Sequence, residues 1–352
     1  MTETSQTMNK ELENESKTQT SYLQTQSWAT FKSAFGWKAD TVGDVFVLSR
    51  QLPYINQLMM YVPEVMIHDS SLLEKLVLFA KEKKPMFLRL EILNNVDGGN
   101  AEAIKQKLKE NHFVKAFEEL QPEHRQIIDL TQSETDILHN MKEKGRYNTR
   151  LAQKKGVRVE ITTGDDATAL EKLKIVYDLY QKTADRKSIS GRSYSYFEKL
   201  LENFKDEIIL SIAYTPATTS PPSVIAVPPS VIARSTATKQ SITSTPLAGS
   251  ITLIHGGVAS YLYGGSSLER KELMAPYLLH YEVMKYAKTQ NCQTYDLLAI
   301  APPDQPNHKF ANLTRFKQQF GGKSIARLGS YDLKMRPFWY TIFKLLENIR
   351  RK

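Results

Sequence analysis

The sequence predicts an α+β protein built as two halves of similar plan, each a mixed, mostly antiparallel sheet flanked by helices. Three observations predict it. The chain has 352 residues, too many for one ordinary core and suited to two. Runs with a period of two and runs with a period near 3.6 are mixed along its whole length, so neither kind of element is confined to one end. Such a mixed series runs once before residue 157 and once after it, although the halves show no repeat that aligns.

In the first half, order begins near "SYLQTQSWATFKSAFGWK". Trp28, Phe31 and Phe35 stand at helical spacing, and Gly36 stops that helix. "DVFVLSRQLP" and "QLMMYVPEVM" read as strands, and "SSLLEKLVLFAKEKK" as a helix capped by Ser70 or Ser71. "PMFLRLEIL" is a strand, "NAEAIKQKLKENHF" an amphipathic helix and "HRQIIDL" a strand. The second half opens with the strand "VRVEITT", then helices over 168–186 and 193–204. Strands follow at "EIILSIAY", "SITLIHGG" and "VASYLYGG", then the helix "LMAPYLLHYEVMKYAK" and the strand "TYDLLAI". "LTRFKQQF" is a short helix, "KSIARLGSYDL" a strand, and "FWYTIFKLLENIRRK" a basic amphipathic helix.

These elements divide the chain into a polar tail over 1–20, a first half over 21–157 and a second over 158–335. The terminal helix, 336–352, is expected to pack back on the first half. Residues 215–249, rich in Ser, Thr, Pro and Ala, interrupt the second half between two strands, and "PPSVIA" occurs there twice. They read as a disordered insertion in a hairpin. No run of about 18 apolar residues occurs, so no transmembrane helix is expected. The start lacks the apolar core of a signal peptide, and Cys292, the one cysteine, rules out an internal disulfide. A cytoplasmic location follows. The formal net charge of +9 favours polyanions such as nucleic acid, nucleotides or an anionic membrane face.

Several familiar sites are excluded. "FGGKS" lacks the first glycine of a phosphate-binding loop, because Lys317 stands there, and a strand follows it where a helix is needed. The His residues are scattered without metal-ligand spacing, so no metal site is expected. No GxSxG elbow is present, and Cys292 reads as an inert thiol.

Three stretches remain. "MKEKGRYNTRLAQKKGVR" carries Lys142, Lys144, Arg146, Arg150, Lys154, Lys155 and Arg158 against one acid, Glu143. Arg146, Arg150 and Lys154 fall four residues apart and form one cationic stripe on a helix, suited to successive phosphates. In "SYLYGGSS", Tyr261 and Tyr263 are two apart, so they share one face of a strand, either as ligand contacts or as core. Gly264 and Gly265 allow a tight strand exit or the close approach of a ligand. In "TRFKQQFGG", Phe316 and Phe320 share a helix face and anchor it, while Lys317 points about 100 degrees away from Phe316. Spacing alone makes Lys317 a surface lysine beside two core phenylalanines; in a partly dry cleft it would stabilise an oxyanion.

In their order and spacing, "YLQTQSWATFKSAFGWK", "KGRYNTRLAQKKGV", "YLYGGSS", "LMAPYLLHYEVMKYAK", "YDLLAI" and "TRFKQQFGG" resemble the FemABX family of peptidyltransferases over most of residues 20–340. The resemblance implies tandem GNAT-like domains, of the type without a coiled-coil arm. It implies transfer of an amino acid from aminoacyl-tRNA to the stem peptide of UDP-MurNAc-pentapeptide or its lipid-linked form, lipid II. It assigns transfer to Lys317, with Phe316 beside it, and acceptor contacts to Lys32, Trp37, Arg192, Tyr196 and Tyr263, with Tyr261 on the same strand. Glu91 in "LRLEI" matches an acidic position facing the stem peptide. The basic helix, from Lys142 to Lys155, would take the tRNA. Two departures bear on the substrate: Ala299 where the family often has Gly, and "NHKFANL" where it often has His-Pro-Trp-Ala-Gly.

No cofactor is implied beyond the aminoacyl-tRNA cosubstrate. The strand–helix junction "GGSSLERKELMAPY" lacks the pyrophosphate loop of GNAT acetyltransferases, which argues against acetyl-CoA. Two other readings stay open: an N-acyltransferase with a different amine acceptor, and a noncatalytic tRNA-binding protein. The terminal helix is expected to pack its aromatic face inward, with peripheral contact to the inner membrane face as the alternative.

Overall fold

The computed structural model describes residues 21–216, 218–219 and 242–350. The tail over 1–20 and both copies of "PPSVIA" lie outside the described residues. The first helix, α1 (Gln26–Ser33), is capped by Thr25, whose hydroxyl accepts from the Trp28 amide at 3.2 Å. Three strands follow, β1 (Lys38–Val42), β2 (Val45–Leu52) and β3 (Gln57–Val65), then α2 (Ser71–Lys83), β4 (Phe87–Asn95) and α3 (Ala101–Glu110). Neither serine caps α2 through its side chain; Asp69 does so, accepting from the Ser71 amide at 2.8 Å. Next come β5 (Phe113–Lys115), β6 (His124–Asp129), the short α4 (Glu134–His139) and the basic α5 (Glu143–Lys154). β1, β5 and α4 are too short to carry a periodic signal.

The chain continues through β7 (Arg158–Thr163), α6 (Ala169–Arg186), α7 (Tyr194–Phe204) and β8 (Ile208–Tyr214). Two-residue strands at the edges of the insertion, β9 (Thr218–Thr219) and β10 (Ile242–Thr243), pair antiparallel. Then come β11 (Pro246–His255), β12 (Val258–Ser266), α8 (Ala275–Thr289), β13 (Thr294–Ala299), α9 (Ala311–Lys317), β14 (Lys323–Lys334) and α10 (Pro337–Arg350). Gly256 and Gly257, both at positive φ, make the two-residue turn between β11 and β12.

Apart from the β9–β10 pair, which forms a small sheet of its own, the described strands form one continuous sheet in the order β1-β2-β3-β4-β14-β6-β13-β12-β11-β8-β7, with β5 on β14 beside that path. Among the described residues only β3–β4 and β12–β13 are parallel, and every other pair is antiparallel. The elements do not sort at residue 157. β6 pairs with β13, and Ile128, Ile137, Met141 and Ala152 share a core with α8. β14 spans both halves, pairing with β4 on one edge and with β5 and β6 on the other. A second core joins α1 residues Trp28 and Phe31 to α7 residues Phe197 and Leu200, so helices of both halves pack together.

α10 lays Tyr340 and Phe343 on Phe87, each with ring centroids 5.4 Å apart. Below it lies a buried ionic knot: Arg89 holds Asp332 through two parallel bonds, Nε to Oδ1 at 2.7 Å and Nη2 to Oδ2 at 2.8 Å, and Glu118 through Nη1 at 2.7 Å. No helix among the described residues is long and apolar enough to cross a membrane.

Candidate active site

Two clusters of predicted residues form, one on each side of β12. The first begins at α1. Burial of Trp28 and Phe31 leaves Lys32 on the flank of the helix, and Gly36, at φ 78°, turns the chain so that Trp37 folds back. Lys32 Nζ then sits 4.9 Å from the Trp37 ring centre and 5.6 Å from that of Trp28. α7 brings the other members. Its cap, Ser193, accepts from the Tyr196 amide at 3.3 Å, and the Tyr196 ring lies 5.0 Å from Phe31. Arg192 stands 5.1 Å from the Tyr196 ring, and Tyr263 donates its hydroxyl to that of Tyr196 at 3.2 Å. Lys32, Trp37, Arg192, Tyr196 and Tyr263 therefore meet from three distant segments.

The electrostatics of this cluster suit an anion. Burial, with help from Arg192 and Arg50, pushes Lys32 down to about 8. Among the described residues no carboxylate forms an ion pair with Lys32, Arg50 or Arg192. Three cations thus ring an aromatic floor without compensation. Arg50, on β2, escapes a sequence reading, because an exposed arginine on a strand carries no signal of its own.

The second cluster surrounds Lys317. β12 and β13 pair in parallel only from Val258–Thr294 to Ser260–Asp296 and then diverge. Lys317 occupies the opening. It is 3% exposed, and its Nζ donates to the Ala299 carbonyl at 2.8 Å. The expectation of a surface lysine is thus corrected: the diverging strands enclose it. Burial is the main force that drives its pKa down to about 7, with Arg125 and Lys187 adding to it and Asp296 opposing. The nearest aromatic face is that of Tyr261, at 5.9 Å. Phe316 and Phe320 form the anchor, 5.2 Å apart, together with Tyr277 and His280. His280 is held neutral, pushed down to about 3 by burial and by Lys317.

Tyr261 and Tyr263 do not share a face. The register of β12 against β11 slips between Ile251 and Thr252, so Leu262 is an extra residue and the two tyrosines point into different cores. Gly264 and Gly265 are not a strand exit either. They lie within β12, and a Cβ on Gly265 would come 2.1 Å from the Leu179 carbonyl oxygen of α6. The close approach is that of a helix, not of a ligand.

Arg125 and Asp296, which sequence reasoning missed, lie beside Lys317. Arg125 is buried between Glu64 and Asp296, bonding the latter at 3.0 Å. Their signal was a charge inside the apolar strands "HRQII" and "YDLLA", since a charge buried in a strand needs a partner. Glu91 stands apart from both clusters. It is 2% exposed, accepts from Ser330 Oγ at 2.8 Å and the Leu120 amide at 3.0 Å, and burial raises its pKa to about 7. Cys292 is buried, and that burial pushes its thiol up to about 11.

On α5, Lys142, Lys144, Arg150 and Lys154 are exposed. Arg146 is not free to extend the stripe. Its Nη1 donates to the carbonyls of His139, at 2.7 Å, and Met141, at 2.9 Å, closing the end of α4. Lys155 reaches the Glu272 carbonyl at 3.0 Å. α5 rests on the turn after Lys317: the Lys142 amide donates to Gln319 O at 3.0 Å, and a Cβ on Gly145 would lie 2.1 Å from that same oxygen.

Comparison with known proteins places the whole chain and its fold. The chain is similar to lipid II:glycine glycyltransferases of Staphylococcus epidermidis, at 23% identity over 92% of this chain and 90% of the relative. It is also similar to that of Staphylococcus aureus, at 22% over 93% and 90%. Its fold is like that of the crystal structure of FemX, with a TM-score of 0.73 at 20% identity, covering 92% of this chain and 94% of that one. The model of the FemAB family matches residues 105–220 and 232–348, taking in Lys317, Tyr196 and the basic helix. With two thirds of its length so matched, the chain belongs to the FemAB family.

Proposed function

We infer that this protein is an aminoacyltransferase that moves an amino acid from aminoacyl-tRNA to the stem-peptide amine of a peptidoglycan precursor, UDP-MurNAc-pentapeptide or lipid II. The observation that carries the reading is Lys317, an ammonium enclosed where β12 and β13 part. Membership of the FemAB family and similarity to proteins named lipid II:glycine glycyltransferases supply the substrate class. The ring of Lys32, Arg50 and Arg192 over Trp37 and Tyr196 suits the pyrophosphate and nucleotide or sugar of such a precursor. The exposed cations of α5 suit tRNA phosphates.

The reaction is aminolysis of an ester. The acceptor nitrogen attacks the ester carbonyl carbon and forms a tetrahedral oxyanion, which the Lys317 ammonium stabilises. The C–O bond to the ribose then breaks. The nitrogen loses a proton and the departing ribose oxygen gains one, so no group on the protein is consumed. Alignment of two large substrates supplies much of the remaining acceleration.

The lipid-linked acceptor accords with α10. Its inner face packs on Phe87, while Phe338, Leu345, Leu346 and Ile349 are exposed beside Lys344. On this reading the protein meets the inner face of the membrane through α10.

The test is transfer of labelled amino acids from a mixed aminoacyl-tRNA pool to each precursor, with lipid II presented in vesicles and Lys317→Ala in parallel. Label is expected in the precursor and is expected to fall by about a hundredfold or more in the variant. A Lys317→Ala protein with the full rate would refute the role of Lys317. A lack of transfer to either precursor would refute the acceptor, and vesicles that leave the protein in solution would refute the membrane contact.

A further inference from the structure

Over β6, β12 and β13 the helices leave one face of the sheet open. Alternate residues of β6, β12 and β13, such as Ile128, Ala259 and Tyr295, are buried against α8. Their neighbours Arg125, Ser260 and Asp296 face the other way and line a cleft of about 1110 Å³. The cleft adjoins both clusters described above. Asp296 on its floor acts on Lys317. Tyr22 on its wall lies within electrostatic reach of Glu64 and Arg125 on one side and of Tyr263 and Tyr196 on the other.

The charges that line the cleft balance. Arg125, Lys323 and Arg327 face Glu64, Asp129 and Asp296, and His255 is taken up by Glu207 at 2.8 Å. Arg125 is saturated by Glu64 and Asp296. Asp129 is turned to its own loop, accepting from the Thr131 amide at 2.8 Å and hydroxyl at 2.7 Å. Arg327 is different. Its Nη1 donates to Leu93 O at 2.7 Å and Asn95 Oδ1 at 2.8 Å. Its Nε is buried with no protein acceptor, and among the described residues Nη2 has none either. The Nε–Nη2 edge of this guanidinium is therefore unused.

That edge is the one with which Arg89 grips Asp332, through two parallel bonds of 2.7 and 2.8 Å. It matches the two oxygens of a carboxylate. Lys323 on the same wall also forms no ion pair among the described residues, so charge alone admits a phosphate as well, and it is the free end of a stem peptide, the acceptor class inferred above, that selects a carboxylate. We propose that this cleft binds the C-terminal carboxylate of a peptide, with Arg327 as its anchor. Resting on the function inferred above, that carboxylate is the free end of the acceptor stem peptide. The amine delivered to Lys317 leaves the peptide beyond it to run past Asp296 toward Arg327.

The experiment compares binding of UDP-MurNAc-pentapeptide with that of the same molecule amidated at its C-terminus, measured calorimetrically. The wild type is expected to bind the acid about tenfold or more tightly than the amide. Arg327→Gln is expected to bind the two alike, and Arg327→Lys to recover only part of the preference, since a lysine lacks the planar edge. The ratio is insensitive to a general loosening of the fold, because both ligands report on the same protein. Equal binding of acid and amide by the wild type, or an undiminished preference in Arg327→Gln, would overturn the anchor and leave the transfer reaction standing. Binding of neither ligand would overturn the acceptor assignment and the anchor together.

Discussion

Lys317 shows how much one side chain owes to its surroundings. Burial brings its pKa to about 7, so near neutral pH it exchanges between ammonium and amine. Only the ammonium stabilises an oxyanion, while only the neutral form of the acceptor amine attacks. An ordinary alkyl amine titrates near pH ~10.4. Below about pH 7, raising the pH increases the attacking amine about tenfold per unit while Lys317 stays charged. Above it, the gain in amine and the loss of ammonium cancel. The single-turnover transfer rate is therefore expected to climb to about pH 7 and then level off. In Lys317→Arg, any residual rate should keep climbing toward pH ~10, because the guanidinium does not titrate there. A wild-type rate that climbs without a break to pH ~10 would rule out Lys317 as the ammonium. "TRFKQQF" alone did not show this, because helical spacing says which way a lysine points but not whether strands part to receive it. The placement came from the family resemblance, and the chemical state from the burial.

At the scale of elements, periodicity located nearly every long helix and strand, and it failed where one residue breaks the period. Leu262 is such a residue: the bulge sends Tyr261 toward Lys317 and Tyr263 toward Tyr196, so one strand serves both clusters. Helix α5 is a second case. The spacing of Arg146, Arg150 and Lys154 is helical as read, yet the guanidinium of Arg146 belongs to the end of α4. The two kinds of residue should separate in a salt titration. Arg150→Gln with Lys154→Gln is expected to weaken tRNA binding and to reduce the slope of log K against log salt by about 0.7 to 0.9 for each lost phosphate contact. Arg146→Gln should leave that slope unchanged and lower the melting temperature, since the carbonyls of His139 and Met141 lose their donor. A slope that responds equally to all three positions would restore Arg146 to the stripe.

For the molecule as a whole, length and the mixed series of elements made a two-part plan legible, but not the way in which the parts join. That joining depends on pairs far apart in sequence, such as β4 with β14 and β6 with β13, which no local pattern encodes. β14 is continuous from Lys323 to Lys334, and the two ends serve different neighbours: Lys323–Ala326 lie on β6, and Arg327–Lys334 on β4. Unfolding either half alone would strip one edge of this strand of its hydrogen bonds and expose Gly329, whose backbone lies against Glu123. It would also split the core in which Phe31 and Phe197 pack, opening apolar surface on both sides. Each partial state therefore carries costs that the fully folded and fully unfolded states avoid, which is the condition for cooperativity. Calorimetry is expected to show one transition whose van't Hoff and calorimetric enthalpies agree, at a temperature that lipid II or UDP-MurNAc-pentapeptide raises as a whole. Two resolved transitions, with the precursor shifting only one, would mean that β14 can part from β4 or from β6 while the rest stays folded.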